Sequence, residues 1–156
     1  MSKIKIFSLG GLNENGKNMY IVDVDNSIFV LDAGLKYADD RMLGIDYVIP
    51  NFDYLKENKD RIKGLFITHG HYTQMGAISD ILTELPEINV YATEFTMELI
   101  KEELESDNVK NAKLNVIKPH HKISFGDVSI FPISLTHSVP GNVGYVINTK
   151  AGAIVY

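Results

Sequence analysis

Cysteine and tryptophan are both absent from the 156 residues of this chain. The absence of cysteine excludes disulfide bonds, thiolate zinc ligands and thiol nucleophiles. Long apolar runs are also missing, since no stretch approaches the ~20 residues of a membrane-spanning helix. The N-terminus carries no signal-peptide pattern. We therefore expect a cytoplasmic protein that binds no membrane.

Positive charge is in deficit as well, because 15 lysine and arginine residues stand against 20 acidic residues, for a formal net charge of −5. Phosphate binding depends on clustered lysine and arginine, so this balance excludes a strongly basic nucleic-acid clamp, including one for DNA. It leaves open RNA binding by a longer chain of which this sequence is a part. With 45% apolar and 22% charged residues, the composition is that of an ordinary globular domain.

The apolar pattern predicts strands, then two helices between strands, then strands again. Helices are expected at 74–85 and 93–105, the second with Thr93 as its N-cap and Phe95 facing inward. This order is typical of an α/β layered domain. The sequence ends within the apolar segment 153–156, so we expect the chain to be a fragment. The predicted strands are 3–9, 18–24, 27–31, 64–68, 88–92, 113–118, 122–125, 128–135, 143–149 and 152–156.

Two histidines directly follow a predicted buried strand, in the segment Thr68-His69-Gly70-His71. Histidines at positions i and i+2 project to the same side of an extended segment, so both imidazoles can bind one metal ion. His137 also stands at the end of a predicted strand, and three imidazoles with a water molecule form a known catalytic zinc arrangement. Alternatively, His69 and His71 are ordinary polar residues at a strand end, because short motifs often match by chance.

Several further segments resemble, in their order, motifs of the ribonuclease J family, which has the metallo-β-lactamase fold. The similarity extends over the whole chain and implies an α/β fold, with residues 1–156 forming the N-terminal portion of the αββα metallo-β-lactamase sandwich. It also implies that the rest of the lactamase domain, an inserted RNA-clamping domain and a C-terminal domain lie outside this sequence. The matching segments are 10–12 (GGL), 16–20 (GKNMY), 31–36 (LDAGLK), 43–50 (LGIDYVIP), 57–64 (ENKDRIKG), 91–93 (YAT) and 136–140 (THSVP).

The metal motif departs from the family pattern H-x-H-x-D-H, because Thr73 and Gln74 occupy the positions of the aspartate and the last histidine. The resemblance implies a first Zn²⁺ site formed by His69, His71 and His137, and a second site that has lost two ligands. Neutral hydroxyl and amide oxygens are poor zinc ligands. The chain therefore resembles the degenerate second paralogue of the family in Gram-positive bacteria.

Two other residues are assigned from the resemblance. Asp32 would be a carboxylate behind the metal ligands that orients the histidine loop, although a plain Asp-x-Gly turn also explains its position. Ser138, in the loop after His137, would contact a substrate phosphate. No catalytic residue is assigned, because Thr73 and Gln74 hold the degenerate positions.

The function implied by the resemblance is metal-dependent hydrolysis of RNA phosphodiester bonds, by exonuclease action in the 5′–3′ direction and by endonuclease action, in RNA processing and mRNA decay. The degenerate motif implies that the chain's own activity is weak or lost. Its partners would be RNA, in the full-length protein, and either a second copy of the chain or an active ribonuclease J paralogue. Two other functions remain open, namely a pseudoenzyme subunit of an active ribonuclease J and a one-zinc hydrolase of small molecules.

Overall fold

The computed structural model describes residues 3–156. Its helices are α1 (Asp53–Glu57), α2 (Tyr72–Met75), α3 (Ile78–Glu84) and α4 (Glu94–Ser106), with a 3₁₀ turn at Lys59–Arg61. The strands are β1 (Ile4–Gly10), β2 (Met19–Val24), β3 (Ser27–Leu31), β4 (Lys36–Tyr37), β5 (Tyr47–Val48), β6 (Ile62–Phe66), β7 (Asn89–Thr93), β8 (Lys113–Ile117), β9 (Ile123–Phe125), β10 (Val128–Ser134), β11 (Val143–Thr149) and β12 (Gly152–Val155). None of the helices in the described part of the chain is long and apolar enough to cross a membrane.

Two sheets carry most of the chain. The first has six strands in the order β1-β2-β3-β6-β7-β8, antiparallel from β1 to β3 and parallel from β3 to β8. The second is antiparallel, with the order β12-β11-β10-β9. A short ribbon pairs β4 with β5. The parallel half of the first sheet places the C-terminal ends of β3, β6 and β7 at one edge.

The core lies on both faces of the first sheet. Along β3, Ile28 and Val30 face one apolar cluster with the helices, whereas Phe29 and Leu31 face a second cluster that the other sheet completes. A strand buried on both faces has a continuous apolar run instead of an alternating one, and Ser27–Leu31 has such a sequence. The helices, the six-stranded sheet and the four-stranded sheet therefore form three layers, with the six-stranded sheet in the middle.

The helix predicted at 74–85 is interrupted near its start, because α2 ends at Met75 and α3 begins at Ile78, so that expectation was wrong at residues 76–77. The amide of Ala77 donates to the carbonyl of Ala33 at 2.8 Å, which takes it out of the helical hydrogen-bond ladder. The apolar spacing of the segment is preserved across this break, which is why the pattern alone predicts one helix.

The expectations for α4 were correct in its extent and in Thr93 as the N-cap residue, but wrong for Phe95. Phe95 is 43% exposed, because the buried stripe runs through Thr96, Met97, Ile100 and Leu104. Thr93 stands at the N-cap position without capping the helix. Its hydroxyl donates instead to the carbonyl of Gly141 at 2.6 Å, which ties α4 to the loop that carries His137.

Candidate metal centre

The three predicted histidines lie at the same edge of the fold. His69 and His71 follow the C-terminal end of β6, which is parallel to β3, so they lie beside Asp32 at the end of β3. His137 lies in the loop between β10 and β11 of the second sheet. In sheets of this kind, functional side chains collect where parallel strands end.

Two hydrogen bonds join the sheets directly beneath the histidines. The amide of Val143 donates to the carbonyl of Thr68 at 3.0 Å. The hydroxyl of Tyr145, which is fully buried, donates to the carbonyl of Ile67 at 2.6 Å. These bonds fix the start of β11 against the segment after β6, and they thereby bring the loop with His137 to His69 and His71.

The imidazoles form a compact group. One ring nitrogen from each of His69, His71 and His137 lies within 4.8 Å of the others. The Nε2 atom of His69 is 3.1 Å from the Nδ1 atom of His71. His69 is buried, His71 is half-buried and His137 is exposed, so the group opens to solvent on one side.

The geometry fits a metal ion. Tetrahedral zinc with Zn–N bonds of ~2.0–2.1 Å separates its nitrogen ligands by about 3.3 Å. The His69–His71 nitrogen separation of 3.1 Å is close to this value. The ligand nitrogen of His137 lies within 4.8 Å of the other two, and the exposed position of this residue leaves room for a water molecule as a fourth ligand.

Electrostatics favour the metal-binding form of His69. Burial, with the nearby His137 and His71 as smaller contributions, lowers the pKa of His69 from 6.5 to about 4. The side chain is therefore neutral at pH 7, and a neutral imidazole is the form that binds a metal.

Asp32 is buried beneath the histidines, with a positive φ of 60°. Its carboxylate accepts hydrogen bonds from the Thr68 amide at 2.8 Å, from the Thr68 hydroxyl at 3.0 and 3.1 Å, and from the Tyr156 hydroxyl at 2.9 Å. Burial raises the pKa of Asp32 to about 7, although these three donors favour its charged form. Asp32 therefore reaches the histidine loop through Thr68.

Thr68 and Tyr156 are two residues that the sequence analysis did not assign. The hydroxyl of Thr68 lies 2.9 Å from the Nδ1 atom of His69, so it contacts both Asp32 and a candidate ligand. Its position directly before the histidine pair could have indicated such a contact. Tyr156 is distant from the motif in sequence, and no local pattern indicates its role.

Thr73 and Gln74 lie in α2, one turn beyond His71. The hydroxyl of Thr73 donates to the amide oxygen of the Gln74 side chain, so the two polar groups at these positions satisfy each other. Their backbone carbonyls are also occupied, because Thr73 accepts from the amide of Asn18 and Gln74 accepts from that of Ala33. Neither position offers a carboxylate or an imidazole.

Ser138 is exposed beside the group, and its hydroxyl lies 3.2 Å from the Nδ1 atom of His137. This contact leaves the Nε2 atom of His137 available. The structure thus places Ser138 at the rim of the site, where its contact with a phosphate remains a prediction.

Comparison with known proteins defines the class of this fold and site. The beta-lactamase superfamily domain matches residues 29–156, so the chain belongs to the β-lactamase superfamily. Within this metal-dependent superfamily it is similar to Ribonuclease J 2 of Staphylococcus aureus (strain NCTC 8325 / PS 47), with 46% identity over 154 residues. The match covers 98% of this chain and 28% of that protein, so the chain spans just over a quarter of the length of such relatives.

Solved structures support the fold independently. A protein of unknown function from Enterococcus faecalis V583 superposes with a TM-score of 0.77 at 14% identity, over 99% of this chain and 43% of that one. A B3 metallo-β-lactamase with an active-site glutamic acid gives 0.63 at 19% identity, over 96% and 58% of the two chains. The expected metallo-β-lactamase fold is confirmed.

Proposed function

We propose that this chain is the metal-binding portion of a ribonuclease J-like protein of RNA processing and mRNA decay, with Zn²⁺ as its metal and RNA as its substrate. The observation that carries the proposal is the group of three imidazole nitrogens of His69, His71 and His137 within 4.8 Å. The similarity to Ribonuclease J 2 supports RNA as the substrate class. We further propose that the protein acts in the cytoplasm.

Each residue of the site has a distinct role in this proposal. His69, His71 and His137 would hold a zinc ion, and the chemistry that such an ion would supply is Lewis-acid activation of water, whose pKa it would lower to about 7. His69, His71 and His137 hold the metal in their neutral forms. Asp32 orients the histidine loop through Thr68, and the exposed hydroxyl of Ser138 binds a phosphate oxygen of the RNA.

Hydrolysis by this chain is weak or lost in the proposal, because the second metal position has lost two ligands. Two-metal sites stabilise both the attacking and the leaving oxygen of a phosphodiester. Thr73 and Gln74 offer only neutral oxygens there, and these are engaged with each other.

A second candidate function is a pseudoenzyme subunit, either of a homo-oligomer or of a complex with an active ribonuclease J paralogue. The observation that favours it is the intact structural role of α2. The carbonyl of Thr73 still accepts from the Asn18 amide and side chain at 3.2 and 3.0 Å, and that of Gln74 from Ala33. The segment thus keeps its backbone contacts with residues that offer neither a carboxylate nor an imidazole.

Zinc content tests the metal centre. We expect elemental mass spectrometry of the purified full-length protein to give about one zinc ion per chain. His137→Ala removes an exposed ligand and should abolish this zinc. His121→Ala is the matched control, because that side chain is exposed in a turn outside the group and contacts the Pro119 carbonyl. Absence of zinc from the unaltered protein, or equal loss in both variants, would contradict the proposal.

Nuclease assays separate the two candidate functions. The double variant Thr73→Asp with Gln74→His restores the missing ligand types in the full-length protein. A rise in RNA cleavage, abolished by adding His71→Ala, supports a ribonuclease limited by its second metal position. Unchanged activity in a folded variant that has gained a second zinc would refute that limit and favour the subunit role.

A further inference from the structure

We propose that Thr68 and Tyr156 are positioning residues that fix the tautomer and orientation of His69 through Asp32. The inference rests on the proposed function, since it assigns new residues to the same metal centre. The four side chains form one continuous series of hydrogen bonds from the second sheet to the candidate ligand, with contacts of 2.9 Å at both of its ends.

The direction of these bonds follows from the chemistry of the groups. Above the pKa of about 7 that burial gives Asp32, its carboxylate is ionised and only accepts hydrogen bonds, so the Thr68 hydroxyl donates its single proton to Asp32. Its oxygen, 2.9 Å from the Nδ1 atom of His69, can then only accept. His69 must therefore carry its proton on Nδ1, which leaves the lone pair of Nε2 free.

The free nitrogen is the one that faces the other ligands. The Nε2 atom of His69 is the atom that lies 3.1 Å from the Nδ1 atom of His71. Without the Thr68 oxygen as acceptor, the neutral imidazole of His69 has both tautomers open to it, and the Nε2–H form cannot bind a metal through Nε2. Thr68 thus selects the form of His69 that can act as a ligand.

Tyr156 secures the far end of the series. Its amide and carbonyl both pair with Tyr145 at 2.9 Å, which anchors it to β11. Its hydroxyl donates to the Oδ2 atom of Asp32, whereas the Thr68 amide donates to Oδ1. These opposed donors prevent the carboxylate from rotating. Without the Tyr156 hydroxyl, the carboxylate can turn and Thr68 loses its fixed acceptor.

Nitrogen-15 chemical shifts of the imidazole report the tautomer directly, in the metal-free full-length protein at a pH well above the pKa of about 7 of Asp32. We expect protonated Nδ1 at His69 in the unaltered protein and in Thr68→Ser, which keeps the hydroxyl. Thr68→Val and Tyr156→Phe should give a mixture of tautomers. In zinc competition assays the two variants should raise the Kd by about 10- to 100-fold, the usual effect of removing a group that orients a metal ligand.

Tyr145→Phe is the matched control. It removes a fully buried phenol hydroxyl that donates to the Ile67 carbonyl, outside the series. We expect it to lower stability without changing the tautomer of His69, so the tautomer is the readout for which it serves as control. The proposal is overturned if Tyr145→Phe shifts the tautomer as much as Tyr156→Phe does, or if Thr68→Val leaves His69 unchanged. Should Tyr156→Phe fail to fold, the comparison of Thr68→Ser with Thr68→Val still decides.

The two readouts separate this inference from the proposed function. The tautomer is measured without metal or RNA, so it tests the hydrogen-bond series even if the unaltered protein binds no zinc. In that case the proposed function fails alone. Conversely, normal zinc content with an unchanged tautomer and Kd in Thr68→Val refutes the positioning role alone.

Discussion

Gly34 is the position where a single methyl group should disturb the candidate site most severely. A Cβ atom there would lie 1.7 Å from the carbonyl oxygen of Thr73 and 2.8 Å from the backbone nitrogen of Asn18. Real Cβ contacts essentially never fall under 3.0 Å, so Gly34→Ala must move α2 by at least about 1.3 Å. The clash is with backbone, which no side-chain rotation can relieve.

The cost in folding stability follows from the backbone hydrogen bonds of the seam, meaning the place where residues 72–77, the segment 33–35 and Asn18 meet. Losing two to four of them, at about 1 kcal/mol each, lowers the free energy of unfolding by roughly 2–4 kcal/mol. Because α2 begins directly after His71, the shift should also reduce zinc content. The seam bonds are Ala33 N to Gln74 O, Asn18 N to Thr73 O, Gly34 N to Asn18 O, Leu35 N to Tyr72 O and Ala77 N to Ala33 O.

Urea denaturation measures the effect, with the slope m showing whether unfolding stays two-state. Gly70→Ala is the matched control, because its added methyl would meet only the side chain of Leu99, at 2.3 Å, which can rotate away. We expect a much smaller loss for Gly70→Ala. A loss for Gly34→Ala no greater than that of the control would refute the reasoning.

Two further predictions concern charged groups. As pH falls from 6.5 to 4, the unfolded state gains a proton that folded His69 does not bind, since its pKa is lowered to about 4. The free energy of unfolding should therefore fall by up to about 3 kcal/mol. His69→Gln is the control, because the raised pKa of Asp32 changes stability in the opposite direction in both proteins. Parallel curves of unfolding free energy against pH for the two proteins would contradict this prediction. Arg61→Met should cost about 2–3 kcal/mol by leaving buried Asp23 without its cation, whereas Lys150→Met, which breaks an exposed pair, should cost nothing measurable in the same unfolding assay.

Much of the fold could be predicted because its signals are local. The strands follow apolar runs bounded by turns, and the pair His69 and His71 stands at the end of one of them. The break between α2 and α3 could not be predicted, because it depends on the Ala33 carbonyl, which lies 44 residues earlier than Ala77. The exposure of Phe95 reflects which face of α4 the sheet covers.

The same distinction between local signals and long-range contacts applies to the candidate site. Its histidines could be identified from motif and position, whereas the support beneath them required the folded structure. The bond from Tyr156 to Asp32 joins residues 124 apart in sequence. Nothing near either residue encodes this partner, since it arises only when the second sheet packs against the first.

The placement of the histidines on two different sheets also has a consequence for folding kinetics. His71 and His137 are 66 residues apart in sequence, and α2–α4 and β7–β10 lie between them. Contacts across such a span carry a loop-closure entropy cost and form late. An ion that all three imidazoles hold would therefore bind only after the sheets have met, and would then slow unfolding more than it speeds folding. Metal binding would therefore be the last step of the folding reaction.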